Sequence, residues 1–250
     1  MIMHSVLLIG QSNMAGRGDM TGLPALDERI KVLKNGRWQR AFRPVNPDRV
    51  FSGACLAETF AEHYVRDHDV PLGIIPCADG GTSLDQWHAG GLLYDNAVFC
   101  TRLAQRTTTV TAVLWHQGCS DCKEERWKVY EEKLSEILGS LRRDLGLENV
   151  PFLLGGLGHY LSENTQKPNY LNYPEVNRQL EHYAATHPMT GFVDSEGLTH
   201  KGDLLHFDTP SLYTFGERYY EAFRKLEDPD REFPDKPDAD AAIRSSLELL

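Results

Sequence analysis

The chain is poor in several features that define whole classes of protein. Only five of its 250 residues are cysteine, at positions 55, 77, 100, 119 and 122. An odd, irregularly spaced set is not a disulfide framework and fits the reduced thiols of a cytoplasmic protein. No apolar run approaches the roughly 18 residues that a membrane-crossing helix needs, so no membrane partner is expected. The stretch Met1–Gly10 has no basic region ahead of its apolar residues, and those residues are only enough for a strand. A secretory signal is therefore not visible. The expected location is the cytoplasm, with secretion left open. Basic residues are scarce as well: 26 Lys+Arg face 36 Asp+Glu, for a net charge of −10, and they form no block. Nucleic-acid binding draws most of its affinity from phosphate neutralisation, so that class is disfavoured and a neutral substrate is easier to accommodate.

Apolar residues at 41% and charged residues at 25% are ordinary for a globular protein. The length suits one domain with a sizeable core. Short runs that are apolar throughout occur at Ser5–Ile9, Val70–Pro76, Val110–Trp115, Val150–Leu154 and Gly191–Asp194. Uninterrupted runs suit strands buried on both faces of a parallel sheet. Between them lie helical periods. Trp127, Tyr130, Leu134, Ile137 and Leu141 form one stripe, with Asp121 as its expected cap and Glu124 as capping-box partner. Leu212, Phe215, Tyr219, Phe223 and Leu226 form another, with Thr209 and Pro210 expected at N-cap and N1. Shorter helices are predicted around Leu56, Phe60 and Tyr64 and around Pro174, Val176, Leu180 and Tyr183. Strands alternating with helices predict a three-layer α/β domain over residues 1–228. Residues 229–250 carry Pro229, Pro234, Pro237 and several acids. They read as a surface extension, with Ala241–Leu250 as a short docked helix, or as a homo-oligomer contact.

Four loops hold the unusual residues, each beside a predicted strand end. In open α/β sheets the ligand crevice lies outside the carboxyl ends of the strands, so these loops converge if the sheet is parallel. The first is Gly10-Gln11-Ser12-Asn13-Met14-Ala15-Gly16-Arg17-Gly18. Its serine is either a nucleophile presented on a tight turn or an ordinary helix cap. The Gly-x-Ser-x-Gly elbow is not matched, because position 14 is Met. The second loop, Ala78 to Trp87, holds Gly80, Gly81 and Thr82, and the glycines permit close backbone approach to a ligand. No Gly-Lys-Ser/Thr follows, which excludes a P-loop. The third, Trp115-His116-Gln117-Gly118-Cys119-Ser120-Asp121-Cys122, offers an amide donor at Gln117. Its cysteine pair has no second pair or His-x-x-x-His to complete a zinc site. The fourth, Gly202-Asp203-Leu204-Leu205-His206-Phe207-Asp208, spaces a carboxylate three residues before an imidazole. That spacing lets Asp203 hold Nδ1–H and leaves Nε2 free to take a proton from a serine, although each residue also reads as an ordinary surface group.

Taken in order, Gly10-Gln-Ser-Asn-Met-Ala-Gly16, Gly80-Gly-Thr-Ser83 with Trp87, His116-Gln-Gly118 and Asp203-Leu-Leu-His206 resemble the SGNH-type hydrolases of the sialate O-acetylesterase and acetylxylan esterase group, carbohydrate esterase family six. The resemblance runs from about residue 5 to about residue 226. It implies a flavodoxin-like three-layer α/β/α sandwich with a central parallel sheet. It implies hydrolysis of O-acetyl groups from carbohydrates, with Ser12 as nucleophile, His206 as base and Asp203 as its orienter. The implied oxyanion hole is the N–H groups of Ser12 and Gly81 with the Gln117 side chain; Gly80 is the alternative to Gly81. Gln11, Asn13, Arg17, Gly80, Thr82, Trp87 and His116 are expected to face the substrate, an acetylated carbohydrate. No metal and no organic cofactor are required. One departure stands out: the family usually has Glu after His-Gln-Gly, and this chain has Cys119. Two other readings use the same residues. One is a lipase or thioesterase of the wider SGNH group. The other is a catalytically weak carbohydrate-binding relative.

Overall fold

The computed structural model describes residues 3–164 and 170–228, together with 230, 232, 233 and 236. The expected helix at Ala241–Leu250 lies outside the described residues. In chain order the elements are β1 (His4–Gly10), α1 (Ser12–Ala15), β2 (Ile30–Lys34), β3 (Arg37–Arg40), α2 (Leu56–His68), β4 (Leu72–Pro76), α3 (Leu92–Gln105), β5 (Thr109–His116), α4 (Tyr130–Leu145), β6 (Phe152–Gly155), α5 (Tyr173–Thr186), β7 (Thr190–Val193) and α6 (Thr209–Leu226). The seven strands form one sheet in the order β3-β2-β4-β1-β5-β6-β7. Every pairing is parallel except β2 with β3. Helices α2 and α6 pack on each other over one face, and α3, α4 and α5 pack in series over the other. The expected α/β/α sandwich is therefore observed.

β1 is the central strand, and every one of its residues is buried. Its apolar run has no polar alternation because helices cover both faces of the sheet. The stripe on α6 is buried at Leu212, Phe215, Tyr219 and Phe223. Tyr219 donates its hydroxyl to the Trp115 carbonyl at 2.7 Å, which ties α6 to the end of β5. The α4 stripe is likewise buried from Tyr130 through Leu141, but the helix starts later than the expected cap. Residues Cys119–Asp121 and Arg126–Val129 are short 3₁₀ turns, and the Asp121 carboxylate turns inward to accept the Leu84 N–H. The cap of α6 is Asp208, whose side chain accepts from Ser211 N–H, so Thr209 is the first helical residue. The β2–β3 hairpin and α3 were not among the expected elements. The hairpin turns through Asn35 (φ 50°) and Gly36 (φ 75°). That Asn-Gly pair is a strong hairpin signal in the sequence.

The sheet positions the site through the end of β1. Gly10 has φ 130°, and a Cβ there would lie 2.2 Å from the His116 carbonyl oxygen. Only glycine lets the chain leave the sheet here, pass against β5 and start α1 at Ser12. Gly10→Ala is expected to cost more than about 3 kcal/mol or to prevent folding, because strain and a backbone clash combine. Gly22→Ala, at φ 72° with nothing within 4 Å of the added carbon, should cost only about 1 kcal/mol. Urea unfolding of both variants measures the contrast, and equal midpoints would contradict this account of the turn.

Candidate active site

The loops after β1, β4 and β5 and the loop between β7 and α6 meet at one edge of the sheet. Ser12 opens α1, with its Oγ 2.9 Å from His206 Nε2. His206 Nδ1 is 2.7 Å from Asp203 Oδ2. The other Asp203 oxygen accepts the backbone N–H groups of Leu205, at 3.0 Å, and His206, at 2.8 Å. Serine, imidazole and carboxylate thus form one hydrogen-bonded line across 194 positions of sequence. Burial tends to raise the Asp203 carboxyl, but the His206 and Leu205 N–H groups and the imidazole outweigh it and hold the group below the usual carboxylate range. Burial holds the His206 imidazole below its ordinary value against the pull of Asp203, and the positive charges of Lys201 and Arg17 act in the same direction as burial. His206 is therefore neutral at pH 7, with Nε2 able to accept a proton.

The loop carrying Asp203 and His206 is held by many partners. His200 pairs with Phe207 in an isolated bridge, and His200 Nδ1 accepts from Gly202 and Leu204 N–H. Leu204 sits at φ 55°, a strained conformation for a leucine. The Leu205 carbonyl accepts from Tyr160 Oη and from Asn13 Nδ2, each at 3.2 Å. Asn13 Oδ1 in turn accepts the Phe207 N–H at 3.1 Å. Asn13 is buried and grips the backbone on both sides of His206, a bracing role where a substrate contact was expected.

The same correction applies to most residues expected to face the substrate. Gln11 is buried, and its Nε2 donates to the Thr82 carbonyl and Ser120 Oγ while its Oε1 accepts from Gly118 and Cys119 N–H. The Thr82 hydroxyl donates to the Asp79 carbonyl and accepts from Trp87 Nε1. Trp87 is fully buried and packs edge-on against Trp115 at 5.8 Å, so neither ring can stack on a sugar. His116 is buried between Phe207 and Phe215, bonds the Gly156 carbonyl, and burial pushes its imidazole down to about 4. Arg17 is buried in a bidentate pair with Asp48 at 2.7 and 2.8 Å. Its charge is spent inside the protein. Of this group only Gly80 is partly exposed.

The expected oxyanion donors divide in the same way. Gln117 is fully buried, and its Nε2 donates to the Thr82 carbonyl and to Asp121. Both amide hydrogens are engaged, so the expectation of a third donor from Gln117 is corrected: the side chain braces a loop. The Gly80 N–H donates to Asp48 Oδ2 at 2.9 Å, which removes Gly80 as the alternative donor. The N–H groups of Ser12 and Gly81 have no acceptor among the described residues. Three successive carbonyls of this loop are drawn away by side chains: Gly80 by Arg49, Gly81 by Ser120, and Thr82 by Gln11 and Gln117. Asp48, Arg49 and Asp79 are contributors that the sequence reading passed over. The only signal for Asp48 and Arg49 is the run Arg43-Pro-Val-Asn-Pro-Asp-Arg49, a loop punctuated by two prolines, and Asp79 lies in the glycine loop itself.

Cys119, the departure from the resemblance, is half-buried, and burial with the nearby Asp121 charge pushes its thiol up to about 12. It is a neutral group at pH 7. All five cysteines are free thiols. Among the described residues no cluster of His, Cys, Asp and Glu is arranged to hold a metal ion.

Against this geometry, the comparisons with known proteins converge. The family described as "Carbohydrate esterase, sialic acid-specific acetylesterase" matches residues 3–225. A probable carbohydrate esterase of Arabidopsis thaliana is 26% identical over 245 residues, covering 87% of this chain and 88% of that protein. Its crystal structure superposes with a TM-score of 0.80, covering 89% of this chain and 98% of that one. NanS superposes at 0.74 with 18% identity, covering 90% and 97% of the two chains. A carbohydrate acetylesterase from Xanthomonas citri superposes at 0.69 with 18% identity, covering 89% of this chain and 56% of that one. The chain belongs to the carbohydrate esterase family of sialic acid-specific acetylesterases and is a carboxylic ester hydrolase.

Proposed function

We propose that the protein removes O-acetyl groups from carbohydrates by acyl transfer through Ser12, His206 and Asp203. The observation that carries this reading is the line of contacts from Ser12 Oγ to His206 Nε2 and from His206 Nδ1 to Asp203. Ser12 Oγ attacks the acetyl carbonyl as its proton passes to His206 Nε2, and Asp203 stabilises the imidazolium. The oxyanion of the tetrahedral intermediate lies against the N–H groups of Ser12 and Gly81. Collapse breaks the bond to the sugar oxygen, which takes the proton from His206. Water then adds to the acetyl-enzyme with His206 as base, releasing acetate and restoring the serine. These steps require no metal or organic cofactor.

The names of the relatives support a carbohydrate ester as substrate. Beside the site, Val50 and Phe51 are exposed, and the Phe51 ring lies 5.3 Å from Arg17 Cζ. This apolar edge suits the carbon face of a sugar ring. The favoured substrate is an acetylated neutral sugar or xylan fragment. An acetylated sialate is the second reading, because Lys201 is exposed and its charge is felt at His206. Lys201→Met should raise KM for an acetylated sialate and leave KM for an acetylated neutral sugar unchanged.

Ser12→Ala or His206→Ala is expected to lower kcat for acetate release by roughly 10⁴–10⁶. Near-normal turnover in either variant would end the assignment. The pH dependence has a defined sign. The base must be neutral, so kcat/KM rises with pH through the His206 midpoint, which burial places below the ordinary histidine value of about 6.5. Asp203 raises that midpoint, so Asp203→Asn should move the acid limb to lower pH while lowering kcat. A profile with no acid limb anywhere below about pH 6.5 would remove His206 from the reaction.

A further inference from the structure

The Gly81 N–H belongs to the Gly80–Gly81 peptide, and that unit has little to fix it from within. Neither residue has a Cβ, and Gly81 already sits at φ 83° with open space where a side chain would be. Rotation of such a peptide plane is not opposed by any Cβ of its own two residues. Turned over, it would present the Gly80 carbonyl oxygen to the place where negative charge develops, and hydrolysis would be opposed rather than assisted. The unit lies beside the nucleophile, since a Cβ on Gly80 would stand 3.3 Å from Ser12 Cβ.

One side chain holds the plane from outside. Arg49 Nη2 donates to the Gly80 carbonyl at 3.1 Å. Its Nη1 donates to Asp79 Oδ1 at 2.6 Å and to the Asp48 carbonyl at 2.7 Å. The guanidinium is thus fixed by two acceptors before it reaches the third. The Arg49 N–H donates to Ser52 Oγ, and Ser52 Oγ donates to Asp48 Oδ1. Asp48 Oδ2 takes the preceding Gly80 N–H. The short segment 48–52 therefore grasps the glycine loop at two consecutive peptides. The Gly80–Gly81 peptide is trans, so its C=O and N–H point in opposite directions. A carbonyl drawn outward by Arg49 aims the Gly81 N–H inward. A cationic donor on the carbonyl also polarises the amide and makes its N–H a stronger donor.

We propose that Arg49 is a positioning residue of the oxyanion hole, acting through the Gly80–Gly81 peptide to aim and polarise the Gly81 N–H. The inference rests on the esterase reading above. It assigns Arg49 no contact with the substrate and no role in binding the ground state. Its removal is therefore felt in kcat and not in KM.

Acetate release by the full chain tests this with four variants. Arg49→Met is expected to lower kcat about 10–100-fold, short of the 10²–10³ typical of a lost oxyanion donor, with KM changed less than about twofold. Arg49→Lys, which keeps the charge without the fork, should recover part of the loss. Asp79→Asn, which loosens the guanidinium, should shift kcat in the same direction by less. Methylguanidinium added to Arg49→Ala should restore kcat in a saturable way, a response that general destabilisation would not show. Wild-type kcat in Arg49→Met, a loss confined to KM, or no rescue by methylguanidinium would overturn the proposal. Ser12→Ala run in parallel separates the two readings. If Ser12→Ala is dead while Arg49→Met is fully active, only the role of Arg49 falls. If Ser12→Ala is fully active, both fall.

Discussion

The side chain of Asn13 donates to the Leu205 carbonyl and accepts from the Phe207 N–H, and through these two bonds the start of the chain holds the end of it. Ser12 is the preceding residue, and His206 lies between the two backbone groups that Asn13 grips. The separation of the Ser12 hydroxyl and the His206 imidazole is therefore set by one amide and the peptides around it, without recourse to the sheet as a whole. Everything else near the site reinforces this register. Gly10 permits the turn that brings Asn13 to the loop, and Tyr160, Asn164 and His200 keep the loop itself in a strained form. A primary amide is well suited to this task because it offers donor and acceptor a fixed distance apart, which matches a backbone carbonyl and N–H two residues apart.

Much of the architecture is legible in the residue order alone. The stripes on α4 and α6 and the apolar run of β1 are periodic or continuous enough to name their elements, because burial on one or both sides leaves a direct trace in residue order. The β2–β3 hairpin was missed although Asn35-Gly36 announces it, since its strands are short and partly exposed and so lack an apolar run. The candidate site divides differently. Ser12, Asp203 and His206 were placed by motif resemblance, and the structure brings them together. Gln11, Asn13, Arg17, Thr82, Trp87, His116 and Gln117 were recognised as belonging near the site but assigned the wrong direction. A polar residue in a motif loop can face a ligand or a neighbouring loop. Its partners, such as Thr82 for Gln117 or Asp48 for Arg17, lie far away in sequence and leave no local sign.

Charge around the site is arranged in closed pairs. Arg17 is matched by Asp48 inside the protein, and Arg49 by Asp79 at the surface. Buried pairs of this kind rarely add much stability, because desolvation offsets most of the attraction, but breaking one leaves an uncompensated charge. Their value here is geometric: Asp48, oriented by Arg17, accepts the Gly80 N–H, and Arg49, oriented by Asp79, donates to the Gly80 carbonyl. The net charge of −10 therefore says little about what the site itself presents.

The order of strands has a bearing on how the molecule is made. β1 leaves the ribosome before the other six strands, yet it is the middle of the sheet, and its two neighbours are β4, beginning at Leu72, and β5, beginning at Thr109. At translation rates of about 5–20 residues per second, this fully buried strand spends several seconds with both edges unpaired. Nascent chains in that interval expose the kind of segment that chaperones capture. His206 follows all seven strands in the chain, so its contact with Ser12 forms only after the whole sheet has been made.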